Sequence, residues 1–104
     1  MLEMSEFQKL NKLESIVITK HGKNRLVERE ISVDDIMYAI AHGEIIKQYE
    51  DDKPLPSCLV LSSNVAGRSI HIVISHDEDF LYLITAYYPD PELWSDDFKT
   101  RKEQ

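Results

Sequence analysis

A histidine and two arginines stand four residues apart in this chain, at His21, Arg25 and Arg29. If the segment is helical, residues with this spacing share one face of the helix, and Glu28 falls on the same third of its circumference. Imidazole moves protons near neutral pH, and guanidinium binds phosphate through two hydrogen bonds and stabilises negative charge. The set therefore predicts a phosphate site, sufficient in principle for metal-free RNA cleavage. The structural alternative is that both arginines pair with Glu28 or with acidic residues of the following helix.

A second candidate group lies in the C-terminal half, at His71, Thr85, Tyr87 and Tyr88. Strand-like alternation around His71 places it on the opposite face from its isoleucine neighbours. Depending on whether the following hairpin loop is even or odd, His71 shares a face with Tyr88 or with Thr85 and Tyr87. Tyrosines here can stack on bases. The structural alternative is a half-buried histidine that is hydrogen-bonded within the sheet, beside aromatic residues that border the core.

The sequence predicts no metal and no cofactor. His76, Asp77 and Asp79 lie together in a hairpin loop, but no second group at ligand spacing supports a metal there. With three glycines, a glycine-rich nucleotide loop is nearly excluded. The single cysteine, Cys58, cannot form an internal disulfide, and its apolar neighbours predict a small buried side chain.

Charge is unevenly distributed along the chain. The net charge is −7, yet residues 9–29 contain six Lys and Arg against two Glu. A negative overall field repels nucleic acid, so any RNA is expected to bind at residues 9–29. No apolar run approaches the length of a membrane span, and residues 1–6 lack the features of a signal peptide. Together with the single cysteine, these features predict a cytoplasmic protein without a membrane segment.

The elements that must position these residues follow from hydrophobic periodicity and capping signals. Helices are predicted over 2–14, over 20–30 after Thr19 as N-cap, and from Ser32 to a stop at Gly43, with 15–18 extended. The period then becomes alternating, and strands are predicted over 44–50, 57–63, 69–75 and 80–88. Asp90 and Pro91 indicate the start of a short helix.

This order predicts an α+β fold: N-terminal helices, then a four-stranded antiparallel meander sheet and a short C-terminal helix. Helices would cover one face of the sheet and leave the other free. The prediction is a single domain over 1–104, with an N-terminal helix and lead-in over 1–18, a core over 19–98 and a frayed tail over 99–104.

Several motifs together resemble the family called domain of unknown function 4258. The first block is Thr19-Lys20-His21-x-x-x-Arg25-Leu26-x-Glu28-Arg29-x-Ile31-Ser32, followed by Asp35-Ile36 and Ala39-Ile40-x-x-Gly43-Glu44-Ile45-Ile46. The second block is Tyr49-x-x-Asp52-x-Pro54-x-Pro56-Ser57-Cys58-Leu59, then His71-x-Val73 and Thr85-Ala86-Tyr87-Tyr88-Pro89-Asp90-Pro91-x-x-Trp94. That family is distantly similar to the RelE and BrnT ribonuclease toxins and to metal-free RNases of the barnase-like type.

The resemblance implies a RelE/barnase-like fold. It matches His21, Arg25 and Arg29 to the family's helix motif, and His71, Thr85 and Tyr87 to its strand positions. Toxins of that type are usually basic, whereas this chain is acidic.

Three functions remain open, one of a binding protein and two of an enzyme. The first is a non-catalytic binding or regulatory module with a toxin-like fold, which binds a protein partner of the antitoxin kind, or a second copy of the chain, through a sheet edge. The alternative is a metal-free endoribonuclease of the RelE/BrnT type. Its catalytic residues are predicted to be His21, Arg25, Arg29, His71 and Tyr87, with Glu28, Thr85 and Tyr88 contacting the substrate. The third hypothesis is that the protein is an enzyme that acts on a small phosphorylated or acidic ligand.

Overall fold

Helices occupy the first part of the chain and strands the second. The computed structural model describes residues 1–102. Its elements are α1 (Met4–Lys9), a 3₁₀ turn (Leu13–Ser15), β1 (Ile16–Ile18), α2 (Lys20–Glu28), α3 (Val33–His42), β2 (Glu44–Tyr49), β3 (Ser57–Ser63), β4 (Ser69–His76) and β5 (Leu81–Tyr87). The predicted α+β class is confirmed. No helix within residues 1–102 has the length and apolar character that crossing a membrane requires.

Side-chain caps fix where α2 and α3 begin. The Thr19 hydroxyl accepts a hydrogen bond from the Gly22 N–H at 3.0 Å, as predicted for an N-cap. Ser32 and Asp35 form a reciprocal capping box at the start of α3. The α2 helix ends at Glu28, two residues before the predicted end at Glu30. Glu30 itself adopts a left-handed conformation with φ of 57°. These caps set the direction in which the α2 side chains project.

The predicted long N-terminal helix is wrong. The α1 helix stops at Lys9, and the chain is extended again at Lys12. Apolar residues continue every third position beyond the helix, but Leu13 is 67% exposed and therefore contributes little to the core. The Asn11 side chain instead donates to the Met37 carbonyl at 2.9 Å, which ties this loop to α3.

The sheet has five strands and is mixed, so the predicted four-stranded antiparallel sheet is wrong. The strand order is β1-β5-β4-β3-β2, and β1 runs parallel to β5, with Ile16 opposite Leu81 and Ile18 opposite Leu83. The other neighbours are antiparallel, as predicted. The prediction of an extended segment over 15–18 is confirmed for Ile16–Ile18, whereas Ser15 belongs to the 3₁₀ turn. The partner of this strand lies more than sixty residues later in the chain. Local periodicity carries no signal for such a pairing.

The hydrophobic core lies between the helices and one face of the sheet. Its fully buried members include Phe7, Ile36, Ile40, Ile70, Ile72, Ile74 and Leu81. Burial of these side chains is the main stabilising contribution to the fold. It also holds α2 beside β5 through the buried Leu26 of α2.

The C-terminal segment 90–102 does not form the predicted helix. It makes turns instead, closed by hydrogen bonds from Trp94 N to Asp90 O and from Ser95 N to Thr100 O. Lys102 N also bonds to Leu93 O, and Lys99 pairs with Glu44 on β2 at 2.9 Å. Residues 99–102 of the predicted frayed tail are thus held by specific contacts, whereas 103–104 lie outside the described residues. The segment covers part of the sheet face that was predicted to be free.

Candidate functional site

A pocket of about 250 Å³ lies between α2 and β5. Because β1 ends at Ile18 while β5 continues to Tyr87, α2 occupies the space beside the last residues of β5. The lining residues are Thr19, His21, Gly22, Arg25, Leu26, Leu83, Ile84, Thr85 and Ala86. Three residues predicted for the site, His21, Arg25 and Thr85, therefore meet in one cavity.

His21 and Arg25 contact each other on the pocket side of α2. The Arg25 Nε donates to His21 Nε2 at 3.0 Å. A ring nitrogen that accepts a hydrogen bond carries no proton, so this contact requires the neutral imidazole, with its proton on Nδ1. The guanidinium thereby orients the histidine ring. The two residues form one wall of the pocket, and Arg25 supplies its positive charge.

Arg29 lies next to the pocket and fastens α2 to the sheet. Its Nη1 donates to the Ala86 carbonyl at 2.7 Å and to the Thr85 hydroxyl at 3.4 Å. The carbonyl belongs to the part of β5 that no strand covers on the β1 side. An arginine here satisfies a backbone group that would otherwise need water or another strand.

Neither arginine is paired with a carboxylate within residues 1–102. The ion pairs found there involve other cations, namely the N-terminus, His76 and Lys99. The structural alternative, in which Arg25 and Arg29 pair with Glu28 or with acidic residues of α3, is therefore wrong. Glu28 itself is exposed on α2 and does not line the pocket.

A bulge in β5 shapes the opposite wall of the pocket. The register with β4 shifts between Val73, which faces Thr85, and Ile74, which faces Leu83, so that Ile84 is the extra residue. Bulges bend a strand and redirect its side chains. Leu83 and Ala86 remain buried, whereas Ile84 is 49% exposed at the rim of the pocket.

The bulge also decides between the two predicted registers of His71. His71 lies opposite Tyr87, which corresponds to the alternative in which it shares a face with Thr85 and Tyr87. That face is the one covered by residues 90–102. His71 is completely buried there, with the Trp94 ring edge-on at a centroid distance of 4.5 Å.

Both ring nitrogens of His71 are occupied. Nδ1 lies 3.2 Å from the Tyr87 hydroxyl, and Nε2 lies 2.8 Å from the Phe98 carbonyl. Because a carbonyl only accepts, Nε2 carries the proton and Nδ1 accepts from Tyr87. Burial lowers the pKa of His71, and the Phe98 carbonyl partly opposes this shift. His71 and Tyr87 thus form a closed contact on the far face of the sheet and do not join the pocket.

Tyr88 is also held by structural contacts. Its hydroxyl donates to the Glu30 carbonyl at 3.2 Å and receives a hydrogen bond from the Asn64 amide. The Arg68 guanidinium stacks 3.8 Å from the centre of its ring. Tyr88 therefore closes the end of β5 and joins α2 to the hairpin between β3 and β4.

Sequence reasoning missed Gly22 as a pocket residue. A Cβ atom added at Gly22 would lie 3.1 Å from the Thr19 hydroxyl and 3.3 Å from a methyl group of Ile18. A larger residue at this position would therefore press on the N-cap hydroxyl and on the end of β1. The detectable signal was a glycine inside the first turn of a capped helix, where glycine carries a propensity cost. No cluster of three or more His, Cys, Asp or Glu side chains in residues 1–102 is placed to hold a metal ion.

The pocket-forming elements coincide with the segment shared with a known family. A family model described as Domain of unknown function (DUF4258) matches residues 18–88, which run from the end of β1 to the residue after β5. No curated protein and no solved structure matches the chain. The match covers more than half of the sequence and includes both walls of the pocket. The chain therefore belongs to the DUF4258 family, a domain of unknown function.

Proposed function

We propose that this protein is a binding module that holds a phosphate of RNA in the pocket between α2 and β5. The observation that carries the proposal is the state of Arg25. In a chain with net charge −7, this arginine lines a cavity and has no carboxylate partner among residues 1–102. A cation without a partner in an acidic protein favours an anionic ligand.

The start of α2 adds to the attraction for an anion. Thr19, His21 and Gly22, from its N-cap and first turn, line the same pocket. The Gly22 N–H is already bonded to the Thr19 hydroxyl, but the helix dipole places partial positive charge at this end of α2. The dipole and the Arg25 guanidinium therefore act on one small volume.

The distribution of charge favours a polyanion over a single phosphate. Residues 9–29 carry six basic and two acidic side chains, so cations continue along the chain on both sides of the β1–α2 junction. Repulsion by the rest of the acidic protein would direct an RNA strand to this strip. Binding of this kind depends on contacts with the RNA backbone and weakens with salt.

The placement of the histidines supports binding over catalysis. Cleavage of RNA by general acid–base chemistry needs groups that can take up and release protons at the reacting atoms. His71 is enclosed on the other face of the sheet, and Nε2 of His21 is occupied by Arg25. The pocket lining thus contains a single imidazole, with no second titratable group beside it except the arginine.

Replacing Arg25 by glutamine should weaken binding of single-stranded RNA about tenfold at low salt. The plot of log affinity against log salt concentration should also become less steep, by the amount that corresponds to roughly one phosphate contact, because one cation at the phosphate is lost. Fluorescence anisotropy with a labelled oligoribonucleotide measures both quantities. Arg101→Gln is the matched control, since it removes the same charge from the C-terminal segment. Equal losses in the two variants would show that the pocket is not the RNA site.

The second candidate is a metal-free endoribonuclease with a RelE/barnase-like fold. The contact between Arg25 Nε and His21 Nε2 favours it. A bound phosphate competes for the guanidinium, and movement of Arg25 onto the phosphate would free Nε2 to accept the proton of a 2′-hydroxyl. Arg25 and Arg29 would then stabilise the charge on the phosphate oxygens while the 2′-oxygen bonds to phosphorus and the bond from phosphorus to the 5′-oxygen breaks. The 5′-oxygen would leave with a proton from water, and the His21 imidazolium would return its proton to the resulting hydroxide.

Incubation of the purified protein with RNA in the presence of a chelator separates the two functions. The binding module predicts that the RNA stays intact. Cleavage by the wild-type protein that is lost in His21→Ala would replace the binding proposal with the endoribonuclease. Cleavage that persists in a double variant, His21→Ala with Arg25→Ala, would remove these residues from either mechanism.

A cytoplasmic location belongs to the same proposal. It rests on the single cysteine, Cys58, which is buried and has no second cysteine with which to form an internal disulfide. If the protein is toxin-like, we further propose that it binds a protein partner of the antitoxin kind or a second copy of the chain.

A further inference from the structure

The sheet face away from the core helices is covered over only part of its width. Residues 90–102 lie over His71, whereas no segment within residues 1–102 covers the region around β1 and the start of β5 in this way. Val17 stands opposite Tyr82 in the parallel pairing, so their side chains share this face. Val17 is 38% exposed and Ile84 is 49% exposed. Large apolar side chains therefore lie side by side in contact with solvent.

The loop between β2 and β3 turns this exposed region into a groove. The groove has a volume of about 550 Å³, and its apolar lining comes from Pro54, Leu55, Tyr82 and Ile84. Ser75, at its base, donates to the Pro56 carbonyl at 2.6 Å, which holds the loop against β4. The wall of the groove is thus fixed by a hydrogen bond to the sheet. Contiguous apolar surface of this kind marks interaction sites in soluble proteins.

Carboxylates border the groove on two sides. Asp52 and Lys53 both line it, and Glu50 and Asp51 precede them in the same loop, which therefore carries three carboxylates against one cation. Beyond Tyr82, Asp77 accepts hydrogen bonds from the Tyr82 hydroxyl and from the Phe80 N–H. The hydrogen bond from Tyr82 is the largest cause of the lowered pKa of Asp77, and the one from Phe80 adds to it, so the carboxylate stays ionised. The groove is therefore apolar at its centre and acidic at its rim.

We propose that this groove binds an amphipathic, basic helix of a protein partner. An apolar sheet face is normally covered by a packed layer, and a helix with one apolar stripe supplies such a layer. Lysines and arginines that flank the stripe would face Asp52 and Asp77, and this charge complementarity selects a basic helix over an acidic one. Binding would follow the helix-in-groove mode, with apolar anchors three and four residues apart.

A synthetic peptide of about 15 residues, with leucines at helical spacing and lysines elsewhere, is a direct probe. We expect its addition to shift the amide resonances of Val17, Leu55, Tyr82 and Ile84, and its affinity to fall with salt. The same peptide with glutamate in place of lysine should not bind. Equal binding of both peptides, or shifts confined to α2, would contradict the proposal.

The variant Ile84→Gln tests the apolar centre of the groove, and it should weaken binding of the lysine peptide about tenfold. Val65→Gln is the matched control, because Val65 is an exposed aliphatic residue at the β3–β4 hairpin. Its affinity for the peptide should equal that of the wild type. Concentration-dependent dimerisation on a sizing column that Ile84→Gln abolishes would instead assign the groove to a second copy of the chain and overturn the basic-helix proposal.

Discussion

Replacing His71 by leucine is expected to lower the free energy of unfolding by about 2–4 kcal/mol, without weakening RNA binding. Leucine has a comparable size but provides neither of the two hydrogen bonds, so the Phe98 carbonyl and the Tyr87 hydroxyl lose their partner. Leaving buried polar groups without partners costs more than the net contribution of the bond itself. Chemical denaturation measures the stability, and oligoribonucleotide anisotropy measures the binding. Loss of RNA binding in a variant that remains folded would place His71 in the functional site.

The pH dependence of stability provides a second measurement on His71. Its pKa is lowered in the folded protein relative to the ordinary value of 6.5, because burial disfavours the imidazolium. As the pH falls below 6.5, the unfolded chain therefore binds the proton first, and the wild-type protein loses stability. His71→Leu should lose less stability than the wild type between about pH 7 and pH 5. Carboxylates with lowered pKa, such as Asp35 and Asp77, affect stability only at lower pH.

The matched control for His71 is Tyr87→Phe. This variant removes one hydroxyl and keeps both the ring and the His71–Phe98 hydrogen bond. It leaves Nδ1 of the buried His71 without a partner and should cost about 1–2 kcal/mol, less than the loss of both hydrogen bonds in His71→Leu. If Tyr87→Phe destabilises the protein as much as His71→Leu, the contact with the C-terminal segment contributes less than the structure indicates.

Replacing Gly43 by alanine is expected to lower the free energy of unfolding by about 2–3 kcal/mol. An added Cβ would lie 2.5 Å from a methyl group of Val60 and 2.7 Å from the backbone oxygen of Ala39. Val60 is fully buried and the Ala39 oxygen is part of α3, so helix and sheet must move apart to make room. Thermal or chemical denaturation of the variant provides the test.

Gly67→Ala is the control for Gly43→Ala. Gly67 has φ of 91°, and a Cβ there would meet no atom within 4 Å. Its replacement therefore tests backbone strain without steric overlap, and a cost of about 1 kcal/mol is expected. A loss in Gly43→Ala that is no larger than this would mean that the contact between α3 and β3 adapts easily.

At Gly43 the predicted end of α3 is correct, but the physical reason given for the glycine is wrong. A glycine after a helical pattern was expected to end α3, and it does. Its φ of −86° is accessible to any residue, however, so glycine is not needed for a left-handed cap. The requirement comes from Val60 on β3, a contact that is distant in sequence.

The sequence by itself determined what depends on neighbours a few residues apart. The caps at Thr19 and Ser32, the α2 face that carries His21 and Arg25, and the approximate limits of β2 to β5 follow from local hydrogen bonds and from periods of 3.6 and 2 residues. The motifs in the same segments were sufficient to identify the family over residues 18–88.

Tertiary structure alone decided which of these residues meet. The pairing of β1 with β5 and the cover of His71 by residues 90–102 join parts of the chain that are far apart in sequence, and the bulge at Ile84 interrupts the alternation of a hairpin strand. Their stability depends on packing over both faces of the sheet, which no local pattern encodes. For this reason His21, Arg25 and Thr85 share a pocket, while His71 and Tyr87, predicted for the same site, contact each other beneath the C-terminal segment and do not line the pocket.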